Sequence, residues 1–312
     1  MHILCIYTGN TGLTGSAGSG YTDQKKEGCG MERLLITGAN GFLGSRAAEY
    51  FGGLRGWQVQ AVGRREMDLT DPAAVERVFR EFGPTRVLHT AAVSDVGACA
   101  ADPAGSERIN VEGSRRIAEA CGKFGARLVF CSSDQVYLGR PGRENGGPYK
   151  EEEPCAPVQP YGQQKLAAES LCAAPAPGAV SLRLTWLYDA RPYPCRRGDL
   201  AQTLRRMAQS SQSAEFASAD RRGVTDVWEL LANLPAAFDL PGGVWNWGSP
   251  NEAGLPICEL ARQGLAALGA DPGLARPKDY PPRELRMDPA KTRAAGIRFA
   301  DSAEALVRAL QF

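Results

Sequence analysis

Apolar positions along the chain switch between two periods. Short apolar runs at Leu34 to Thr37, Trp57 to Val62, Arg86 to His89, Arg127 to Ser132 and Val180 to Leu187 read as strands. Between them the spacing becomes helical, over Ser45 to Leu54, Pro72 to Phe82, Asn110 to Phe124 and Pro160 to Cys172. Local chemistry supports the boundaries. Asp71 can cap a helix whose first turn holds Pro72, where a missing N–H costs nothing, and Gly83-Pro84 stops it. Strands alternating with crossover helices predict an α/β fold with a doubly wound parallel sheet. After Tyr188 the pattern loosens. Asp189 to Gly223 is polar, arginine-rich and interrupted by Pro192 and Pro194, and beyond it helices dominate at Val227 to Phe238, Ile257 to Leu268 and Ser302 to Leu310. This places one domain at 31–187 and a smaller, mostly helical C-terminal part at 188–312.

Composition adds exclusions. Of 312 residues, 43% are hydrophobic and 23% charged, with 36 basic against 35 acidic, so the chain is globular and its charge calls for no nucleic-acid partner. It has no apolar run of about 18 residues and no leader-like N-terminus, so a cytoplasmic protein without membrane contact is expected. The nine cysteines contain no CxxC pair and there are two histidines, far apart, so no metal site is expected. Glycine is unevenly spread. Seven of the 36 fall in the first 30 residues, a segment without apolar periodicity that reads as a tail or extension at 1–30, ahead of a domain that starts at Met31.

Two GxxGxxG patterns compete as phosphate loops. Such a loop needs a strand before it, glycines that let backbone approach a pyrophosphate, and a helix whose N-terminal N–H groups hold the charge. Gly9, Gly12 and Gly15 lack that setting. Gly38, Gly41 and Gly44, in TGANGFLGS, have it, which makes the domain Rossmann-type and makes Gly38, Asn40, Gly41, Phe42, Leu43 and Gly44 candidate dinucleotide contacts. The second strand ends in Gly63-Arg64-Arg65, where a carboxylate would favour NAD. Arg64 and Arg65 suit a 2′-phosphate instead, so NADP is expected, with NAD the other choice, and Asp68 and Leu69 follow at the adenine end.

Tyr161 and Lys165, four apart on a predicted helix, share one face. Tyr21 and Lys25 have the same spacing but no strand or helix units between them and their glycine pattern. The helix end behind Pro160 and the neighbouring ammonium are both expected to lower the cost of a tyrosinate at Tyr161. The strand RLVFCSSD ends in Ser132, Ser133 and Asp134, at the edge of a parallel sheet where ligands bind, and one hydroxyl there would hydrogen-bond a substrate carbonyl.

Taken together, TGANGFLG, HTAAVSDV, Asn110 in INVEGSRRIAEAC, CSSDQVY, PYGQQK and RLTWLY resemble the extended short-chain dehydrogenase/reductases, in phrasing similar to the dTDP-4-dehydrorhamnose reductase family of sugar-nucleotide-binding proteins. The resemblance implies catalytic Ser133, Tyr161 and Lys165, with Tyr161 and Lys165 also touching cofactor. It implies cofactor contacts at Ala91, Ala92 and Asn110, and a substrate-binding role for the C-terminal part, with substrate contacts at Val93, Ser133, Asp134 and Trp186. Arg283 and Arg286, in the reductase-like PRELRMDPAKTRAAG, are candidate diphosphate contacts. Dehydratases of this fold carry an Asp-Glu pair where this chain has Asp134-Gln135, and glutamine cannot act as a base. The expected activity is NAD(P)H-dependent reduction of a keto-sugar nucleotide, by a homodimer. Epimerisation with retained NAD, or a non-catalytic NADP-binding regulatory subunit resembling the methionine adenosyltransferase beta subunit, are the alternatives.

Overall fold

Six parallel strands carry the core, and their order explains where a ligand can sit. The computed structural model describes residues 31–139, 146–193 and 198–311; the tail expected at 1–30, with its glycine pattern and its Tyr21–Lys25 pair, lies outside them. In chain order the first half runs β1 (Glu32–Thr37), α1 (Phe42–Gly52), β2 (Trp57–Val62), α2 (Pro72–Phe82), β3 (Arg86–His89), α3 (Val96–Ala101), α4 (Pro103–Glu107), α5 (Ser114–Phe124), β4 (Arg127–Ser133), α6 (Pro160–Ala173) and β5 (Val180–Leu184). The second half runs β6 (Trp186–Tyr188), α7 (Leu200–Ser210), β7 (Ala214–Ala217), β8 (Asp220–Arg222), β9 (Val224–Asp226), α8 (Val227–Ala237), β10 (Gly243–Trp247), α9 (Ile257–Ala267), β11 (Ala275–Lys278), β12 (Arg283–Leu285), α10 (Ala290–Ala294) and α11 (Ser302–Gln311).

The main sheet has the order β10-β5-β4-β3-β1-β2. The chain moves one way from β1 to β2 and the other way from β3 onward, so the loops after β1 and β3 part at a switch point. Thr37, Val62 and His89 share one register line, which brings those loops to the same edge. Both faces are covered, which is why the strands read as continuous apolar runs. Leu34 and Ile36 of β1 pack towards α1 and α8, and Leu35 packs towards α2, α5 and α6. A third core, built on Leu204, Leu260, Leu265, Leu306 and Leu310, holds α7, α9 and α11 together.

Several boundaries differ from expectation for identifiable reasons. Helix α1 begins at Phe42 rather than Ser45, with Gly41 as its cap. The run Val180 to Leu187 breaks at Thr185, because Trp186 leaves the main sheet and its N–H bonds to Gly223 O at 3.3 Å while β6 pairs with β9. The helix expected from Asn110 starts as a π-helical turn, Arg108–Gly113, and becomes α-helical only at Ser114. Within the stretch read as irregular lies α7, capped by the Asp199 carboxylate on Gln202 N. The sheet also extends past Leu187: its outer strand β10 comes from the C-terminal half and pairs with β5.

Candidate active site

The carboxyl ends of the strands open into a cavity of about 750 Å³. Its floor is the loop after β1. Gly38 has φ +74°, and a Cβ there would lie 2.8 Å from the backbone of Ala91; a Cβ on Gly44 would lie 2.2 Å from Gly38 O. The loop therefore closes on itself only as glycine. Helix α1 opens directly onto the cavity, and its cap residue Gly41 supplies no side-chain acceptor to the first-turn N–H groups. Uncapped N–H groups at a helix start suit an anion, so this cradle fits a dinucleotide pyrophosphate. Asn40, Phe42 and Leu43 line the same cavity.

At the end of β2, Arg64 lines the cavity, exposed, with its Nε 3.5 Å from Asp68 Oδ2. Asp68 is oriented by the N–H and hydroxyl of Thr70 at 2.8 and 2.7 Å, and Leu69 follows it into the wall. Arg65 does not line the cavity.

Ala91, Ala92 and Val93, after β3, form the opposite wall. Their backbone is tied down from behind. Thr90 Oγ1 donates to Thr37 O at 2.6 Å, and Asn110 both accepts from Val93 N at 2.8 Å and donates to Val93 O and Gln164 Oε1. Asn110 is thus a clip behind the wall rather than part of its surface. His89 lies deeper, bonded to Thr37 Oγ1 and Ser114 Oγ, and burial pulls its pKa down to about 3, so it is a neutral strut.

Ser133, Tyr161 and Lys165 converge on this cavity from β4 and α6. Tyr161 stands in the first turn of α6 behind Pro160, and Lys165 one turn later on the same face. The Lys165 ammonium donates to Cys131 O at 2.8 Å and lies 5.8 Å from the centre of the Tyr161 ring. Burial lowers its pKa to about 8. Burial also pushes the Tyr161 phenol above its ordinary value, the Asp134 charge adding to the effect and the Ser133 hydroxyl opposing it. Loss of hydration is the largest influence on this phenol. The two serines divide their roles. Ser132 Oγ is committed to Glu169 Oε1 at 2.5 Å, within a buried ion pair to Arg183, whereas Ser133 Oγ donates to Asp134 Oδ1 at 3.2 Å beside the tyrosine.

Trp186, 40% exposed, and the buried Asp134 both line the cavity. Arg283 and Arg286 do not line the cavity. Arg286 clamps both oxygens of Glu284 at 2.8 and 3.0 Å, and Arg283 is 4.0 Å from Asp220. In their place the cavity holds Arg222, which sequence reasoning missed because β8 falls in the stretch read as irregular. Thr37, Thr90, Thr185 and Tyr193 also line it unforeseen; a polar residue closing an apolar strand was the available signal for Thr37 and Thr185.

Among the described residues no helix is long and apolar enough to cross a membrane. The family model described as RmlD substrate binding domain matches residues 31–237. The chain is 32% identical over 282 residues to a dTDP-4-dehydrorhamnose reductase of Streptomyces griseus, covering 85% of this chain and 88% of that one. It is also 32% identical over 248 residues to the dTDP-4-dehydrorhamnose reductase of Mycobacterium tuberculosis, covering 79% of each. In fold it is similar to the dTDP-4-dehydrorhamnose reductase of Bacillus anthracis solved in complex with NADP, with a TM-score of 0.77 at 21% identity, over 90% of this chain and 96% of that one.

Proposed function

Because the chain belongs to the RmlD substrate binding domain family, within the extended short-chain dehydrogenase/reductases, we propose that it reduces the ketone of a nucleotide-linked sugar with NADPH. The observation that carries this reading is the placing of Ser133, Tyr161 and Lys165 in one cavity with the glycine cradle. NADPH, when bound, supplies the hydride from its nicotinamide. The remaining work falls to this chain's own residues. The Ser133 hydroxyl orients the substrate carbonyl, and Tyr161 gives the oxygen its proton. Reduction requires the phenol to start protonated, and burial holds it so. Lys165 lies across the same helix face, where its ammonium supports both the cofactor ribose and the developing phenolate. Gly38, Asn40, Gly41, Phe42, Leu43 and Gly44 cradle the pyrophosphate, Arg64 takes the 2′-phosphate end, and Asn110 keeps the Ala91–Val93 wall in place. Asp134 and Trp186 receive the sugar. Gln135 argues against dehydration: its amide donates to Asp134 Oδ1 at 3.2 Å and leaves no base at that position.

We assign cofactor binding to 31–187 with β10 added, and substrate binding to the rest of 188–312. A cytoplasmic location, where free thiols such as Cys99, Cys121 and Cys131 stay reduced, goes with this reading, and a homodimer is the expected assembly. The direct test is a panel of nucleotide-linked keto-sugars with NADPH and NADH, followed by nicotinamide absorbance. Oxidation of NADPH that depends on a keto-sugar nucleotide is the expected result. Failure of every such substrate, or NAD that stays with the purified protein and supports only epimerisation, would overturn the reading.

A further inference from the structure

Phe42, Arg46 and Glu49 stand at i, i+4 and i+7 on α1, so they share one face of the helix that opens onto the cavity. That face holds the segment that follows β6, and Arg46 is the centre of the contact. Its Nε donates to Asp189 Oδ2 at 2.6 Å and its Nη1 to Phe42 O at 3.0 Å. The Arg46 and Asp189 side chains are 12% and 3% exposed. The guanidinium also lies 4.0 Å from the centre of the Phe42 ring and 4.4 Å from that of Tyr193, so it touches both rings at once. Asp189 Oδ1 accepts from Trp228 Nε1 of α8 at 2.7 Å, and Glu49 adds an exposed pair with Arg191 at 2.9 Å. Two stretches of cavity wall meet here. Phe42 lies at the helix start suited to a pyrophosphate, whereas Tyr193 and Asp199 line the cavity together with Trp186. Asp199 belongs to the same network: its Oδ2 accepts from Asp189 N at 2.8 Å and from the Tyr193 hydroxyl at 3.1 Å, while its Oδ1 caps α7. Arg46 does not line the cavity.

We propose that Arg46 is a positioning residue that couples the two ligands of the cavity, dinucleotide and nucleotide-linked sugar. A nearly buried ion pair returns little net stability, and here it holds one arrangement of the parts it joins. A pyrophosphate on the first turn of α1 fixes Phe42 and with it the seat of the guanidinium. Arg46 passes that order to Asp189 and to the Tyr193 ring, and Tyr193 and Asp199 are then set for the second ligand. Coupling of this kind is reciprocal, so the sugar nucleotide tightens the hold on the dinucleotide by the same factor. Arg46 touches neither ligand and acts through Phe42 and Tyr193.

The inference rests on the reading that the cavity takes a nicotinamide dinucleotide and a nucleotide-linked sugar together, and titration calorimetry on the full chain separates the two. NADP is titrated with and without saturating thymidine diphosphate or uridine diphosphate, and each diphosphate with and without saturating NADP. In the wild type each ligand should bind about tenfold tighter in the presence of the other, with the same factor in both directions. Arg46→Gln should bring the factor below about twofold while NADP alone binds within about threefold of the wild type. Tyr193→Leu leaves the Arg46–Asp189 pair whole and serves where Arg46→Gln does not fold; it should remove the factor as well. Tyr193→Phe keeps a ring on the guanidinium and should retain most of it. No coupling in the wild type, or a factor that survives Arg46→Gln or Tyr193→Leu even where each ligand alone binds more weakly, overturns this inference and leaves the reductase reading standing. Binding of NADP with no binding of either diphosphate, in either state, overturns both.

Discussion

Lys165 and Tyr161 show how far one residue's chemistry depends on what surrounds it. Their spacing on a helix was legible in the sequence, since four residues make one turn, and so was their setting behind Pro160. The direction of the tyrosine's pKa was not. It depends on how completely β4, α6 and the wall after β3 exclude water, and that is a tertiary fact. The same burial gives Lys165 a pKa of about 8, with desolvation as the main cause. A lysine so shifted is charged below that value and loses its charge as pH rises through it. The kcat/KM for NADPH should therefore fall on the alkaline side with an apparent pKa near 8. A pH–rate profile of the wild type checks this, and a profile flat to about pH 10, where an unshifted lysine titrates, would contradict it. Arg222 marks the other limit. Nothing in DRRG distinguishes a buried guanidinium from the exposed Arg64, because the difference lies in what packs against each.

At the scale of elements, five of the six main-sheet strands and their crossover helices could be read from apolar runs and caps, as at α2, whose expected and observed limits coincide at Pro72 and Phe82. The misses share a cause. In α7, the apolar positions Leu200, Ala201, Leu204 and Met207 do follow a helical period, but the arginines between them and the preceding prolines hide it. Helices α3 and α4, six and five residues long, are too short to show a period and depend on Asp95 and Asp102 as caps. The glycine loop was legible as a motif, and its geometry makes the roles of individual glycines testable. Gly44→Ala would place a methyl 2.2 Å from Gly38 O and should weaken NADPH binding at least about tenfold by forcing the loop off the cradle. Gly52→Ala, at the far end of α1 with nothing within 4 Å of its Cβ, should leave the affinity as it is. Isothermal titration with NADPH compares the two, and equal affinities in both variants would remove the argument for close approach at Gly44.

Across the whole molecule, the cavity borrows from both halves of the chain, and this was the least legible feature. A strand from residues 243–247 completes a sheet begun at residue 32, so no boundary drawn along the sequence separates the layers. What ties the halves is polar as well as apolar. Arg183 of β5 pairs with Glu169 of α6 at 2.8 Å and donates to the Tyr137 hydroxyl, which in turn donates to Asn246 of β10. Both charges are about 5% exposed, so removing one strands the other. Arg183→Met should cost about 3–5 kcal/mol in urea unfolding, whereas Arg293→Ala, which breaks the exposed pair with Glu252, should cost less than about 1 kcal/mol. A similar, small cost for both would mean that the buried network does not hold the halves together.

As the proton donor of an NADPH-dependent ketone reduction, Tyr161 acts through a single hydroxyl, and Tyr161→Phe removes that hydroxyl alone from the cavity. The measurement is turnover of a nucleotide-linked keto-sugar alongside NADPH binding in the same preparation. In the variant kcat should fall by about 10²–10⁴-fold while NADPH binds as tightly as to the wild type. Keto-sugar reduction that survives the substitution at near wild-type rate would contradict it.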